Sequence, residues 1–368
     1  MRLFWLESKR LFLSLSFLIY SVLVCGFIVL NVNPLVNRSL ATMPTASHYD
    51  AIYASDFHTL KNGVLSQLRD EYKENTYTTY PMGFAKTTSL KSDKCDAMQE
   101  QIVALRSASN RRELTHAVKR VDQLLGGHSG YTTANIVTLA RRQMNAKEAK
   151  QDYRLIVTRD RISGAFARVF ADIAGLIVGI LPTVIVIAFC YADRRSQATA
   201  TVQSKFISSG RRIITQYFAS LIVLLLPVLA VAMYFTLRVV GLYPQQAIDW
   251  LAFMKATFIW VLPTLMISSA VGFMTYQLFG NFMGFALQIG WWLITTMIGS
   301  HRVDGNYGWL LMPRHNSLHN VAYFYDHLNE LLVNRASYAV LALIMVGIAI
   351  LIVQLRKGGL RFALSSHH

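Results

Sequence analysis

Runs of about twenty residues without a charge have few places to fold, and this chain repeats them. Leu11–Val32, Ile173–Tyr191, Tyr217–Leu237, Ala256–Tyr276, Phe282–Gly299 and Ser337–Leu355 are each near the length a helix needs to cross a hydrocarbon core about 30 Å thick. Lipid offers no partner to backbone N–H and C=O groups, so each run is expected to be a helix, which satisfies them internally. Pro182, Pro227 and Pro263 fall within three of the runs. They are expected to kink these helices rather than end them, because neighbouring helices can take up the freed carbonyls. Of the 368 residues, 53% are hydrophobic and only 15% charged, where a soluble domain carries roughly a quarter charged. The expected fold class is an all-α integral membrane protein with six transmembrane helices.

The formal net charge of +16 raises nucleic acid as a partner. The basic residues are spread along the chain and gather at the ends of the apolar runs, which fits orientation in a membrane and not a phosphate-tracking face. No nucleic-acid partner is expected, whereas membrane lipids are. The first apolar run is too long for a signal-peptide core and is followed by no A-x-A site, so a retained span is expected. Cys25, Cys95 and Cys190 show no spacing that suggests a metal knuckle or a disulfide framework and read as unpaired thiols.

Lysine and arginine in the short connections set the orientation. With an inner N-terminus, segments 1–10, 192–216 and 356–368 carry Arg2, Lys9, Arg10, Arg194, Arg195, Lys205, Arg211, Arg212, Arg356, Lys357 and Arg361 against Glu7 and Asp193 alone. The short outer segments hold Arg238, Lys255, Arg302, Arg314 and Arg335 against Asp249, Asp304, Asp326 and Glu330. Both termini are therefore expected in the cytoplasm and the long stretch after the first span outside. The expected division is 1–32 (an amphipathic leading helix and the first span), 33–161 (an extracellular helical domain) and 162–368 (the other five spans). The last contains a cytoplasmic segment at 192–216 and an outer amphipathic segment at 300–335.

About 130 structureless residues would be improbable in an ordered protein, so the outer stretch reads as a domain. In "RELTHAVKRVDQLLGG", Leu114, Ala117, Val118, Val121 and Leu125 share one helical face, and Gly126-Gly127 stops it. Tyr49, Tyr53, Phe57, Leu60, Val64 and Leu68 keep similar spacing, and Ser92 is a candidate helix cap. From Ala146 a helical pattern runs into the second span, with a bend expected at Gly164.

No G-x-x-x-x-G-K-[ST] loop occurs, so the chain is not expected to bind ATP in that manner. H-E-x-x-H, G-x-S-x-G and paired zinc-ligand motifs are also missing, and no catalytic, cofactor or metal residue is assigned. Arg168 and Asp172, spaced i, i+4, are expected to form a salt bridge at the outer end of the second span, with a substrate contact as the alternative. His315, His319 and His327, with Asp326 nearby, are a weak candidate zinc set. The segment also carries a stripe of Leu318, Val321, Tyr325, Leu328 and Leu332, which predicts an amphipathic helix at the outer interface with wet histidines. Asn37-Arg38-Ser39 is a formal glycosylation sequon that short chance occurrence explains equally well.

Between the second and third spans lies "ADRRSQATATVQSKFISSGRRIITQYF", a basic connection of about one short helix. From Asp160 to Leu229 the chain resembles the permease subunits of type-2 ABC exporters. The carriers of the resemblance are Asp193-Arg194-Arg195, then a short helix over Ala198–Phe206, then Ser208-Ser209-Gly210-Arg211-Arg212. The six-span layout, the "MRLFWLESKRLF" leading helix and the domain after the first span extend it to the whole architecture. Where many members have a glycine-threonine pair in the coupling helix, this chain has Gln197-Ala198-Thr199.

The resemblance implies a multi-pass protein of a bacterial cell membrane, itself not an enzyme, docked on an ABC ATPase subunit in two copies that holds ATP-Mg. A second permease chain, identical or related, would complete the path. Asp193, Arg194, Arg195, Val202, Lys205, Phe206, Arg211 and Arg212 would form the ATPase-coupling surface. Arg168 and Asp172 would be an outer-vestibule pair. The alternative for the basic segment is a loop resting on anionic lipid. A rival for the chain is a multi-span sensor whose outer domain recognises a ligand. An amphipathic cargo, such as a peptide or an antibiotic, is suggested by "GFALQIGWWLITTMIGS", although Trp291 and Trp292 suit packing or lipid contact as well.

Overall fold

The computed structural model describes residues 2–43, 49–53, 56–81, 86–132, 135–195, 208–300 and 309–357. The chain is mostly helical and divides into two compact units. One contains Met1–Met43, Asp152–Gly299 and Gly305–His368, and the other Pro44–Gln151 with Ser300–Asp304. Five helices among the described residues are long and apolar enough to cross a membrane: Leu15–Val32, Ser163–Ala192, Gly210–Leu242, Ala252–Phe279 and Leu328–Arg356. This is compatible with a multi-pass membrane protein.

In the first unit, α1 (Arg2–Phe12) leaves Trp5, Leu6 and Phe12 exposed and buries Glu7 and Leu11. The first apolar run begins four residues later than expected, at α2 (Leu15–Val32), because Ser14 caps it by accepting the Phe17 N–H. The second run is longer than expected and broken: α8 (Ser163–Val178) is followed by α9 (Leu181–Arg195). The expected bend at Gly164 lies instead in the preceding turn, where Arg161 and Ile162 take φ of 49° and 61°. A positive φ is strained for a β-branched residue, and full burial of Ile162 helps to hold it.

The break before Pro182 illustrates how backbone freed within an apolar helix is satisfied. Proline leaves the Val178 carbonyl without its helical N–H, and the Ser268 hydroxyl donates to it at 3.0 Å. The Leu176 and Gly179 carbonyls accept from the Trp292 indole (2.8 Å) and the Gln288 amide (2.5 Å). An added Cβ at Gly179 would sit 2.6 Å from the Met312 Sδ, so a larger residue there would require the Met312 side chain to shift.

The third run spans α10 (Ser209–Leu242), 34 residues with Pro227 inside. It starts eight residues before the expected boundary because Ser208 caps it by accepting the Arg211 N–H. The fourth comprises α11 (Ala252–Ala256), a π-helical turn at Thr257–Val261 and α12 (Leu262–Phe279), with Pro263 in the first turn of α12. Next come α13 (Met283–Ser300), the short α14 (Val321–Asp326) and α15 (Leu328–Lys357). The expected amphipathic helix through 315–332 is therefore not continuous. Residues 309–320 are non-helical, and Asn320 enters α14 in the left-handed region (φ 60°).

The second unit surrounds its own core of Leu60, Val64, Leu68, Tyr77, Leu114 and Val118. Its helices are α3 (Phe57–Glu74), α4 (Ser92–Ser107), α5 (Arg111–Leu124) and the single turn α6 (Ile136–Leu139). The apolar stripe expected in α5 is buried, and Gly126 and Gly127 follow with φ of 89° and 83°. Ser92 is the first helical residue and not the cap, which is Lys91 with no side-chain bond. Two small antiparallel pairs were not foreseen: β1 (Ala51–Tyr53) with β4 (Arg141–Gln143), and β2 (Tyr77–Thr79) with β3 (Lys86–Thr88). Tyr49 and Tyr53 thus belong to the strand region, since Asp56 starts α3 by accepting the Thr59 N–H. The helix α7 (Ala146–Thr158) continues the chain into the first unit.

Candidate functional site

One face of α8 carries Arg168 and Asp172 into the interior of the membrane-helix unit, where they are only 4% and 8% exposed. The expected bridge between them is replaced by another pairing. The turn at Arg161–Ile162 folds Asp160 back beside α8, and the Arg168 guanidinium pairs with that carboxylate. Arg168 also donates to the Leu318 carbonyl at 3.2 Å and lies over the Phe324 ring at 4.9 Å. The second Asp160 oxygen accepts the Tyr325 hydroxyl at 2.7 Å, and burial pushes that phenol's pKa upward.

Asp172 is held differently. Its Oδ2 accepts the consecutive backbone N–H groups of His315 and Asn316, at 2.8 and 2.7 Å. Asn316 has φ of 63°, and such a turn aims successive amides at one anion.

A fourth charged residue, Arg335 on α15, is 3% exposed. Each acceptor it meets is neutral: Leu310 O (2.9 Å), Leu311 O (3.1 Å), Thr264 Oγ1 (2.9 Å), Trp260 O (3.4 Å) and the Asn334 amide oxygen. Trp260 belongs to the π-helical turn. Arg168, Asp172, Trp260, Met312, His315 and Arg335 line a small open cleft with about 20 Å³ of interior volume. The site can therefore present charged donors and acceptors beside aromatic and aliphatic surface.

His315 is buried and not wet as expected, because residues 309–320 turn inward. Its Nε2 and the His319 carbonyl are 2.7 Å apart, so the ring donates there as a neutral imidazole. Burial, assisted by the Arg168 charge, pushes its pKa down to about 3. The unfolded imidazole takes a proton near pH 6.5 and the folded one refuses it until about 3, so stability falls as pH drops below 6.5. Thermal unfolding of the purified chain at pH 7.5 and pH 5 should show this loss. His315→Gln should flatten it, and an equal loss in that variant would remove His315 as the cause.

His319 lies 3.7 Å from Asp152, and the His327 Nδ1 is 2.9 Å from the Tyr323 carbonyl. Among the described residues no group of three or more His, Cys, Asp or Glu is placed to hold a metal.

Of the expected coupling residues, Arg211 and Arg212 lie in the first turn of α10, and Asp193, Arg194 and Arg195 end α9. Val202, Lys205, Phe206 and the rest of the expected short helix lie outside the described residues. Sequence reasoning missed Asp160 and Arg335. For Arg335 a signal existed: Leu331, Leu332 and Val333 extend the last apolar run back past it, making it a charge within a span.

The fold and cleft define a mostly helical protein, compatible with multi-pass insertion, that keeps charged residues inside its bundle. No protein-family model, curated protein or solved structure matches the chain.

Proposed function

We propose that this chain is the membrane-spanning permease subunit of an ATP-driven ABC exporter, with six spans and both termini cytoplasmic. The observation that carries the reading is the cleft. Ionisable side chains are costly inside a membrane and, where present, mark pathways and ligand sites. Here Arg168, Asp172 and Arg335 line one cleft among helices of membrane length. The resemblance over Asp160–Leu229, the amphipathic α1 and the basic bias of segments 1–10, 192–216 and 356–368 support it. In this reading α13 is the fifth span and α15 the sixth, Pro44–Gln151 is extracellular, and a separate subunit supplies ATP-Mg.

Energy coupling is tested at Phe206. A buried aromatic anchor costs about 2 kcal/mol or more when truncated, roughly thirtyfold in affinity, whereas a rim charge costs little. Phe206→Ala should release the co-purifying ATPase, while Arg194→Ala or Arg211→Ala should leave it bound. A loop resting on lipid gives the reverse order, at about 1 kcal/mol for each lost charge. The purified chain alone should not hydrolyse ATP, and turnover that persists in contaminant-free protein would refute the subunit reading.

Orientation is tested by an impermeant thiol reagent on intact cells. Lys119, exposed on α5, serves as the outer reporter. Lys119→Cys should be labelled and Ser204→Cys should not. Labelling of the latter alone would invert the assignment.

A sensor reading draws on one observation, the separate core of the Pro44–Gln151 unit. It predicts ligand binding there and no ATPase partner.

A further inference from the structure

Residues 309–320 are irregular backbone lodged among membrane-length helices, and their polar groups are caught in a sorted way. Arginines take carbonyls: Arg335 those of Leu310 and Leu311, and Arg168 that of Leu318. Thr264 adds a second donor to Leu311 at 3.2 Å. Aspartate takes amides, with Asp172 receiving those of His315 and Asn316. Just beyond the segment, Asp152 receives the amide of Val321 at 2.8 Å.

None of these contacts reads a side chain of the segment. Together they form a template for any peptide that presents two successive carbonyls and, a few residues on, two successive amides in a left-handed turn. Trp260, Phe324 and Leu331 beside the cleft supply apolar surface for its side chains. Irregular backbone is tolerated at such depth only where protein or a cavity satisfies it, so charged side chains directed at backbone suit a peptide guest as well as the resident segment.

We propose that the Arg168–Asp172–Arg335 cleft is a peptide-backbone binding site, occupied in this conformation by the chain's own residues 310–318, and that its ligand is a short apolar peptide containing a Gly- or Asn-type turn. That the peptide is transported cargo rests on the exporter reading, whereas the binding itself does not. The resident segment acts as a tethered competitor, at an effective concentration in about the millimolar range, so a guest binds when it displaces that segment.

The test uses the full purified chain without any ATPase and a fluorescently labelled peptide, N-acetyl-WLLMPRHNSL-amide, the sequence of residues 309–318. Fluorescence anisotropy should show saturable binding at up to millimolar peptide. Methylation of the two backbone nitrogens matching His315 and Asn316 removes both donors to the carboxylate while sparing every side chain. It should weaken binding at least about tenfold, as expected for two hydrogen bonds to a charged acceptor. In Asp172→Asn, which weakens the resident segment and the guest alike, the methylated and unmethylated peptides should bind more nearly equally. No saturable binding, or equal binding of the methylated and unmethylated peptides, overturns the proposal. The comparison of peptides uses the unaltered chain, so it stands even if Asp172→Asn fails to fold. A missing ATPase partner with peptide binding intact would refute the exporter reading alone.

Discussion

Asp160→Ala destabilises the purified chain by about 3–5 kcal/mol, the cost of leaving a buried charge without its partner. Arg168 is 4% exposed and has no other carboxylate in hydrogen-bond contact among the described residues. Losing Asp160 also frees the Tyr325 hydroxyl from its acceptor. Arg168→Met strands the buried Asp160 carboxylate in turn and should cost a similar amount, eased by the Tyr325 bond that Asp160 keeps. The double variant should be more stable than the sum of the two single losses predicts, since neither charge is then stranded. Thermal unfolding of the four proteins at one detergent concentration measures the cycle. Additive losses would show that the two groups do not interact.

Gly63→Ala should destabilise the Pro44–Gln151 unit by about 3 kcal/mol, the upper end of overpacking costs. In an exposed helix the same change usually stabilises by up to about 1 kcal/mol, so the expected sign is reversed. Gly63 lies in α3, and an added Cβ would fall 2.0 Å from the Leu139 carbonyl oxygen. That atom is backbone, at the end of α6, and cannot rotate away as a side chain could. Hydrogen exchange across the whole chain separates the local effect from a global one. Protection should fall in α3 and α6 while the membrane-length helices keep theirs, and unchanged protection in α3 would contradict the close approach.

Much of the architecture was legible because lipid narrows the choices. A long apolar run can only become a helix, and the expected spans are helices that extend beyond their predicted limits at several ends. The ends were harder to read because hydropathy does not mark them. Ser14 and Ser208 start helices through a single hydroxyl bond each, a local geometry that the average of a twenty-residue window hides. The domain between the first two spans showed its α5 stripe clearly. Its three-residue strands carry too few residues for a period of two to stand out.

The cleft was half legible. Arg168 and Asp172 drew notice as charges beside a span, but i, i+4 spacing shows only that two side chains can meet. Asp160 wins Arg168 through a strained turn that no periodicity encodes, and Asp172 goes to backbone amides, which have no sequence signature. The wet interfacial histidine failed for the same reason. An apolar stripe predicts which face a helix would bury, and gives no warning when the segment is not a helix.

The length of α10 has a mechanical consequence. Its 34 residues make a rod about 51 Å long, roughly 20 Å more than a hydrocarbon core is thick. The rod is tied to the N-terminal segment along that length. Gln216 donates to Glu7 near its start, and Tyr20 donates to Leu224 near its middle. Arg238 and Tyr243 donate to Asn33 and to the Asn37 carbonyl near its far end. The two strands of this strut resist bending together although Pro227 interrupts one of them. A tilt of about 5° around its midpoint would swing each tip by about 2 Å, enough to make or break a hydrogen bond. Force applied beside Ser209 would thus reach Tyr243 as leverage, with little lost to flexing between.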